Sequence, residues 1–206
     1  MIRFAAFFLL LMAAAPLAAQ DARFNDRAAM SRFKGNQNAN VVVFEFADFQ
    51  CPYCARFARE IFPRIDSAYV RTGKIQWIFV NMPLPNHPHA WAASEAAMCA
   101  GAVSEKFWPM HDRLFNAQAE WTAAADPAAH MQRYARDAGV AVEGFQACVQ
   151  SDRTAALLVR DVMYATNARV SGTPAFMINN DTVFVGMKSF EEWRELLEAA
   201  LKRPRQ

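Results

Sequence analysis

The chain has 206 residues, enough for one sizeable core or for a core domain with an inserted layer. Its 22 Lys+Arg and 20 Asp+Glu give a formal net charge of +2, so there is no basic surplus to suggest a nucleic-acid ligand and no acidic tail. The hydrophobic fraction of 54% is raised by an apolar, alanine-rich amino terminus.

The amino terminus has the organisation of a secretory signal peptide. Arg3 precedes an apolar run over residues 4–12, and small residues follow over residues 13–19. A transmembrane anchor is the alternative, but the apolar run is shorter than the roughly 20 residues that a span requires. We expect cleavage near Ala19 and a soluble, exported protein in an oxidising compartment, the periplasm, because no later stretch is long and apolar enough to cross a bilayer.

A Cys-Pro-Tyr-Cys motif occupies residues 51–54, between a strand-like run over residues 41–49 and a helix-like run over residues 55–69. At a helix start, unpaired N–H groups and the helix dipole stabilise a thiolate, which is the species that attacks disulfides. Half of a zinc site and a structural disulfide are the alternatives, but zinc needs a second closely spaced Cys or His pair, which the sequence lacks. The motif therefore predicts a redox dithiol without metal or cofactor.

The apolar stripe of the predicted helix assigns different roles to the two thiols. It includes Cys54, Phe57 and Ile61, so Cys54 should be buried and Cys51 should face water at the helix mouth. We expect Cys51 to be the attacking thiol and Cys54 the resolving one. Pro63 predicts a kink, since it cannot donate to the helical hydrogen-bond ladder.

Glu45 is a carboxylate inside an otherwise apolar strand. One interpretation is an edge position from which Glu45 reaches solvent. The other is a partly buried acid with a raised pKa that exchanges protons with Cys54. Asp48 lies nearer the end of the strand and is expected to be exposed.

The later elements are a buried strand, a helical block, two short strands and a closing helix, over residues 75–81, 90–168, 175–179, 182–185 and 190–200. Asn180-Asp181 is the predicted hairpin turn. His87 and His89 suggest a metal site only weakly, since no further ligands cluster nearby, and we expect them in a loop at the active-site rim. The large aromatic residues of the helical block are predicted to be core: Trp91, Phe107, Trp108 and Phe115.

At four places the chain resembles the DsbA-like thiol-disulfide oxidoreductases of the thioredoxin superfamily. They are Glu45 with the run into residues 51–54, Pro-Leu-Pro-Asn-His-Pro at residues 83–88, Phe-Trp-Pro-Met-His-Asp at residues 107–112, and Gly-Thr-Pro at residues 172–174. The resemblance implies an α/β thioredoxin fold, a central mixed sheet flanked by helices, with an inserted helical domain. The expected divisions are a signal peptide at 1–19, an N-terminal segment at 20–37, thioredoxin-fold parts at 38–86 and 169–206, and the helical insertion at 87–168.

The resemblance also implies a substrate-binding face. In thioredoxin-fold proteins a cis proline faces the dithiol, and the residue before it offers backbone hydrogen bonds to an extended peptide. These roles are implied for Pro174 and Thr173, beside Pro52 and Tyr53 of the motif. A cis bond is expected here although only about 5–6% of X-Pro bonds are cis.

Cys99 and Cys148 are the remaining cysteines, and neither belongs to a Cys-x-x-Cys motif. In a reducing cytosol they would be buried core thiols, whereas an even cysteine count in an exported chain favours a structural disulfide between them. Some DsbA-like proteins carry such a second bond and others do not, so the resemblance leaves the pairing open.

The resemblance implies an enzyme that introduces disulfides into reduced exported proteins and is recharged by a quinone-linked membrane partner. A monomer that binds no nucleic acid is expected. The first alternative is a disulfide isomerase or reductase, because Tyr53 and Thr173 are similar to the isomerase branch, although the segment between Ala19 and the first strand is too short for the dimerisation domain of those isomerases. The second alternative is a peptide-binding holdase whose Cys-x-x-Cys is only structural.

Overall fold

The structure, a computed structural model, describes residues 17–181 and 183–203, so the predicted signal peptide lies almost entirely outside the described residues. Five strands form one mixed sheet in the order β1-β3-β2-β4-β5. The strands are Phe33–Gly35 (β1), Val41–Ala47 (β2), Ile75–Asn81 (β3), Ala175–Ile178 (β4) and Val183–Val185 (β5). Within the described part of the chain, β2 and β3 pair in parallel, whereas the β1-β3, β2-β4 and β4-β5 pairings are antiparallel. The strand that leads to the cysteine motif, β2, is therefore the middle strand of the sheet.

Helices surround this sheet and form a separate layer between β3 and β4. They are Leu17–Ser31 (α1), Pro52–Glu60 (α2), Phe62–Ile65 (α3), Ala90–Ser104 (α4), Phe107–Asn116 (α5), Gln118–Thr122 (α6), Ala128–Asp137 (α7), Val142–Gln150 (α8), Ala155–Asn167 (α9) and Phe190–Leu201 (α10). A π-helical turn over Asp66–Val70 follows α3. The predicted thioredoxin fold with inserted helices is confirmed, while the predicted division boundaries stay predictions. Within the described residues, no helix has both the length and the apolar character that a bilayer crossing needs.

Alternation along β2 divides the core between the two faces of the sheet. Val41 and Val43 pack on one face with an aromatic group that includes Phe57, Trp77 and Trp193. The opposite face is covered in part by α9, and its cluster contains Phe46, Ile78, Val80, Ala165 and Met177. Because Glu45 shares its face with Val43, its carboxyl group enters the aromatic side of the core.

The break between α2 and α3 confirms the predicted kink. The helix predicted over residues 55–69 stops at Glu60 and resumes at Phe62, and Pro63 occupies the first turn of the new helix. A proline is tolerated in that first turn, where its missing N–H would have no partner. The cysteine-bearing helix α2 is consequently only nine residues long.

Two local predictions were wrong, and two elements were not predicted. The unpredicted elements lie in the segment over residues 20–37, which contains most of α1 and all of β1, and α1 packs so closely on α4 that a Cβ on Gly101 would lie 2.0 Å from Ser31 Oγ. The left-handed residues of the hairpin turn are Asn179 and Asn180, one position earlier than predicted. Trp91 is 39% exposed instead of belonging to the core.

Candidate active site

The two cysteines of the motif lie at the junction of β2 and α2. Cys51 is the N-cap of α2 with extended backbone, and Pro52 occupies the first helical position. The Cys51 N–H donates to the Asp48 carbonyl oxygen at 3.1 Å, and the Cys51 carbonyl oxygen accepts from the Ala55 N–H at 3.1 Å. The Cys51 sulfur is thereby placed where the N–H groups of the first helical turn have no partner within the helix.

Cys51 is less accessible than expected. Only 4% of the residue is exposed, so the prediction that it faces water was wrong. Its Sγ lies 3.4 Å from the carbonyl oxygen of Thr173, on the loop that crosses in front of the helix mouth. A hydrogen bond from the Cys54 thiol lowers the pKa of Cys51 to about 6 against the opposing effect of burial, helped by the backbone N–H groups of Tyr53 and Cys54. Cys51 is therefore largely a thiolate at neutral pH.

The pKa of Cys54 is shifted in the opposite direction to that of Cys51. It is completely buried, and burial together with the neighbouring Cys51 sulfur raises the pKa of Cys54 well above its usual value. Both cysteines are free thiols in the structure. One sulfur of the pair is thus charged and the other protonated near pH 7.

Glu45 lies beneath this pair in the middle strand. It is 1% exposed, so the edge interpretation was wrong. Trp77 Nε1–H donates to Glu45 Oε2 at 2.8 Å, while Oε1 has no partner. Burial raises the pKa of Glu45 to about 8, although the Trp77 hydrogen bond opposes this, and the Glu45 charge in turn raises the pKa of Cys54. The carboxyl group can therefore hold a proton near neutral pH.

The Thr173-Pro174 peptide bond is cis, as the resemblance implied. The Pro174 carbonyl oxygen accepts from the Gly186 N–H at 2.7 Å, which joins this loop to the segment after β5. A groove of about 590 Å³ runs beside it, lined by residues that include Tyr53, Thr173, Pro174, Met187 and Lys188. Tyr53 is 62% exposed and Pro52 is also exposed, whereas Pro174 is buried. Of the four implied substrate-binding residues, Tyr53, Thr173 and Pro174 line this groove.

Asp48, predicted to be exposed, is completely buried. Its Oδ1 accepts from the Gln50 N–H at 2.6 Å, and its Oδ2 accepts from the Leu84 N–H at 2.7 Å and lies 2.8 Å from His87 Nδ1. The segment of Leu84 and His87 is the predicted rim loop, which folds back over the strand end. The Leu84 N–H and the His87 ring nitrogen are the partners of Asp48 from this loop, and the residues next to Asp48 in the sequence do not indicate them.

Gln118 is a contact of the site that the sequence analysis missed. Its Nε2 donates to the carbonyl oxygens of Phe49, at 2.7 Å, and Cys51, at 2.9 Å. Gln118 belongs to α6 in the inserted layer, far from the motif in sequence. The sequence around Gln118 gives no indication that its side chain will form hydrogen bonds with the turn before α2.

Cys99 and Cys148 are joined by a disulfide that links α4 to α8, with a Cα–Cα distance of 5.8 Å. Both residues are buried in the cluster of the inserted layer. Cys99 Sγ lies 3.9 Å from Thr154 Oγ1. Across residues 17–181 and 183–203, no three His, Cys, Asp or Glu side chains are grouped so as to hold a metal ion.

A thioredoxin family model matches residues 27–199 of the chain. Among curated proteins, disulfide bond formation protein D of Bacillus subtilis is 26% identical over 176 residues, covering 82% of this chain and 76% of that protein. A putative protein-disulfide oxidoreductase of Rickettsia felis is 25% identical over 84% of this chain. Na(+)/H(+) antiporter NhaA 3 of Salinispora tropica is 34% identical over 71% of this chain. The chain spans 60% of the Rickettsia protein and 21% of the antiporter.

Solved structures show the same fold. BdbD of Bacillus subtilis matches with a TM-score of 0.75 and 23% identity, over 84% of this chain and 93% of that one. Alpha-DsbA1 of Wolbachia pipientis matches with a TM-score of 0.73 and 22% identity, over 82% and 90% of the two chains. Fold and site define a thioredoxin-fold protein with a helical insertion and a dithiol at a helix start. The chain belongs to the thioredoxin family, and its fold is the one found in BdbD and alpha-DsbA1, as the resemblance to DsbA-like proteins implied.

Proposed function

We propose that this protein is a thiol-disulfide oxidoreductase that introduces disulfides into reduced proteins through Cys51 and Cys54. The main support is the asymmetry of the two sulfurs: the pKa of Cys51 is about 6, whereas that of Cys54 is raised well above its usual value. A dithiol that serves only structure has no need of such a difference. The names of the Bacillus and Rickettsia relatives support the same chemistry.

The reaction starts from the oxidised form, with a bond between Cys51 and Cys54. A substrate thiolate attacks Cys51 Sγ, the bond between the two sulfurs breaks, and Cys54 leaves with the electron pair. A second substrate thiolate then attacks the substrate sulfur of the mixed disulfide and releases the Cys51 thiolate. Two electrons pass from the substrate dithiol to the protein, and the substrate gains one disulfide.

Glu45 supplies the proton that Cys54 needs in this scheme. A thiolate leaving into a fully buried site is costly, because burial disfavours its charge. A neighbouring carboxyl group with a pKa of about 8 is protonated at neutral pH and can release its proton as Cys54 leaves. Glu45 is then re-protonated before the next cycle.

The low pKa of Cys51 favours an oxidase over a reductase or isomerase. A stabilised thiolate makes the reduced form more stable, so the disulfide form gives up its bond more readily. Tyr53 and Thr173 carry no charge that would strengthen this effect, so we expect a less extreme oxidant than a relative with a cation beside the first cysteine.

We further propose that the protein is exported by cleavage near Ala19, acts as a periplasmic monomer and is recharged by a quinone-linked membrane oxidase. The charge pattern of residues 1–19 and the second disulfide support an oxidising compartment. The substrates are reduced or unfolded exported proteins, which the face of Tyr53, Thr173 and Pro174 would hold in extended form.

Incubation of the oxidised protein with reduced, unfolded ribonuclease A tests the activity. We expect loss of two substrate thiols per protein molecule, no transfer by Cys51→Ser, and normal transfer by the double variant Cys99→Ala, Cys148→Ala. If the protein were instead a holdase, the Cys51→Ser variant would suppress aggregation of the substrate as well as the parent protein does. The redox potential of the dithiol, measured by equilibration with glutathione, distinguishes an oxidase from a reductase. A potential well below the glutathione poise indicates a reductase.

A further inference from the structure

Trp77 of β3 makes the one side-chain hydrogen bond that Glu45 has among the described residues. The Trp77 Nε1–H donates to Glu45 Oε2 at 2.8 Å, and both residues are buried, Trp77 completely. The two residues are diagonal neighbours in the sheet, because the partner of Trp77 is Val43 and the partner of Glu45 is Phe79. Residues two apart on a strand point to the same face, so the pairing of β2 with β3 brings the indole to the carboxyl group.

The indole ring of Trp77 is held in place by packing. Four aromatic rings surround it, with centroids between 5.1 and 6.1 Å from its own: Phe57, Phe62, Phe176 and Trp193. Phe57 belongs to the buried side of α2, one helical turn after Cys54, so the turn of helix that carries Cys54 lies over the same face of the sheet. Core packing therefore fixes the direction of the indole N–H next to the dithiol.

The indole donor determines which oxygen of Glu45 carries the proton. An indole N–H only donates, whereas a protonated carboxyl group has one oxygen that carries hydrogen and one carbonyl oxygen that accepts. The carbonyl oxygen is the better acceptor, so the contact with Trp77 makes Oε2 the carbonyl oxygen and leaves the proton on Oε1. Oε1 is buried and has no hydrogen-bond partner among the described residues, so none of them competes for this proton.

The same hydrogen bond becomes stronger once the proton has left. A hydrogen bond to a charged acceptor is roughly twice as strong as one between neutral groups, so Trp77 stabilises the Glu45 carboxylate more than the neutral acid. The bond accordingly opposes the larger effect of burial, which raises the pKa of Glu45 to about 8. The paired strands bring Phe79 and Phe176 to Glu45, and among the described residues Cys54 of α2 is the titratable group whose charge acts with that of Glu45.

We propose that Trp77 is a positioning residue of this reaction, whose indole N–H anchors Glu45 Oε2 and so keeps the transferable proton on Oε1. This inference rests on the proposed function, because it concerns the proton that Glu45 gives to Cys54. As the bond between the two cysteine sulfurs breaks, Cys54 keeps the electron pair, the O–H bond at Oε1 breaks and an S–H bond forms. The Glu45 carboxylate that remains is stabilised by Trp77 until it is re-protonated.

Trp77→Phe tests the proposal, with Trp193→Phe as the matched control. Each substitution replaces a completely buried indole of the same aromatic group by a smaller ring. Trp193 Nε1, in contrast to Trp77 Nε1, has no hydrogen-bond partner among the described residues. Packing is therefore reduced in both variants, whereas the hydrogen bond to Glu45 is lost only in Trp77→Phe.

Infrared spectroscopy of the oxidised protein, in which Cys54 does not titrate, detects protonated Glu45 as the C=O band that Glu45→Gln lacks. In Trp77→Phe this band should move to higher frequency, because its oxygen loses a donor. The pH midpoint at which the band disappears should rise by about one unit, since the carboxylate loses more stabilisation than the neutral acid. The weaker acid should slow reduction of the protein by reduced ribonuclease A at pH 7 about threefold. Trp193→Phe should match the parent protein in all three measurements.

An unmoved band, an unmoved midpoint or a rate equal to that of Trp193→Phe in folded Trp77→Phe would overturn the proposal. If Trp77→Phe does not fold, the spectrum of the parent protein decides. The Glu45 band should then lie at the frequency of a C=O group with one hydrogen bond, and the frequency of a free C=O group would overturn the proposal equally. Failure of the parent protein to oxidise ribonuclease A would instead refute the proposed function, whatever the frequency of this band, so the two failures are distinguishable.

Discussion

Cys51 and Thr173 meet across the mouth of α2, with Cys51 Sγ 3.4 Å from the Thr173 carbonyl oxygen, although 122 positions separate them in the chain. The cis bond after Thr173 turns the chain into β4, which pairs with the same strand that carries Glu45. One strand pairing therefore brings the dithiol, Glu45 and the Thr173-Pro174 segment together.

Alkylation of the reduced protein should occur first at Cys51 and should follow the thiolate fraction. With a pKa of about 6, the rate should be half-maximal near pH 6 and level above pH 8. Mass mapping after brief iodoacetamide treatment across this range gives both the site and the midpoint. Cys54→Ala is the informative comparison, because it removes the hydrogen bond that contributes most to the low pKa. Its midpoint should be higher, and preferential labelling of Cys54 in the parent protein would contradict the assigned roles.

Glu45→Gln should raise the free energy of unfolding by about 4 kcal/mol at pH 8 while slowing substrate oxidation. The folded pKa of about 8 exceeds the ordinary value of 4.5, so the stability linked to Glu45 is fully present below pH 4.5 and is lost as pH rises through 8. Urea titrations at pH 4.5 and pH 8 measure this. The two proteins should be nearly equal at the lower pH, and a constant difference would contradict the raised pKa.

Gln118→Ala should lower the free energy of unfolding by about 1–2 kcal/mol, because two buried backbone carbonyl oxygens lose their donor. It should also slow oxidation of a reduced peptide, since the turn before α2 loses its tie to α6. Gln146→Ala is the matched control, because its side chain bonds only to Gln132 in a partly buried pair. Equal behaviour of the two variants in denaturant titration and turnover would remove Gln118 from the site.

The double variant Cys99→Ala, Cys148→Ala should lose about 2–4 kcal/mol of unfolding free energy and keep its turnover. The bond closes a long loop between two helices of the inserted layer, so its main effect is on the unfolded chain. Mild dithiothreitol should reduce the active dithiol first and leave this buried bond intact. A changed potential of Cys51 and Cys54 in the double variant would make the second bond regulatory.

Local patterns predicted β2 and β3 well because both faces of these strands are covered. A short run of mostly apolar residues identifies such a strand, and the predicted bounds of β3, residues 75–81, agree with the structure. The helix kink at Pro63 was likewise predictable, since it depends on the missing N–H of one residue.

Contacts between distant segments were not predictable in this way. Asp48 is buried because the rim loop brings N–H groups to it, and Gln118 reaches the turn from another layer of the fold. α1 was not predicted because its large apolar residues are few and scattered among polar ones, and it is held by a narrow buried stripe that includes Phe24 and Ala28. In each case the burial of a residue depends on its contacts with distant segments, which its residue type does not indicate.

The edges of the sheet have a consequence for aggregation. Both edge strands, β1 and β5, are only three residues long, and Lys34 stands in the middle of β1. Short, charged edges offer few free backbone groups to which an unfolded chain can add as another strand. If the protein acts on unfolded proteins as we propose, such edges would protect it against co-assembling with its own substrates.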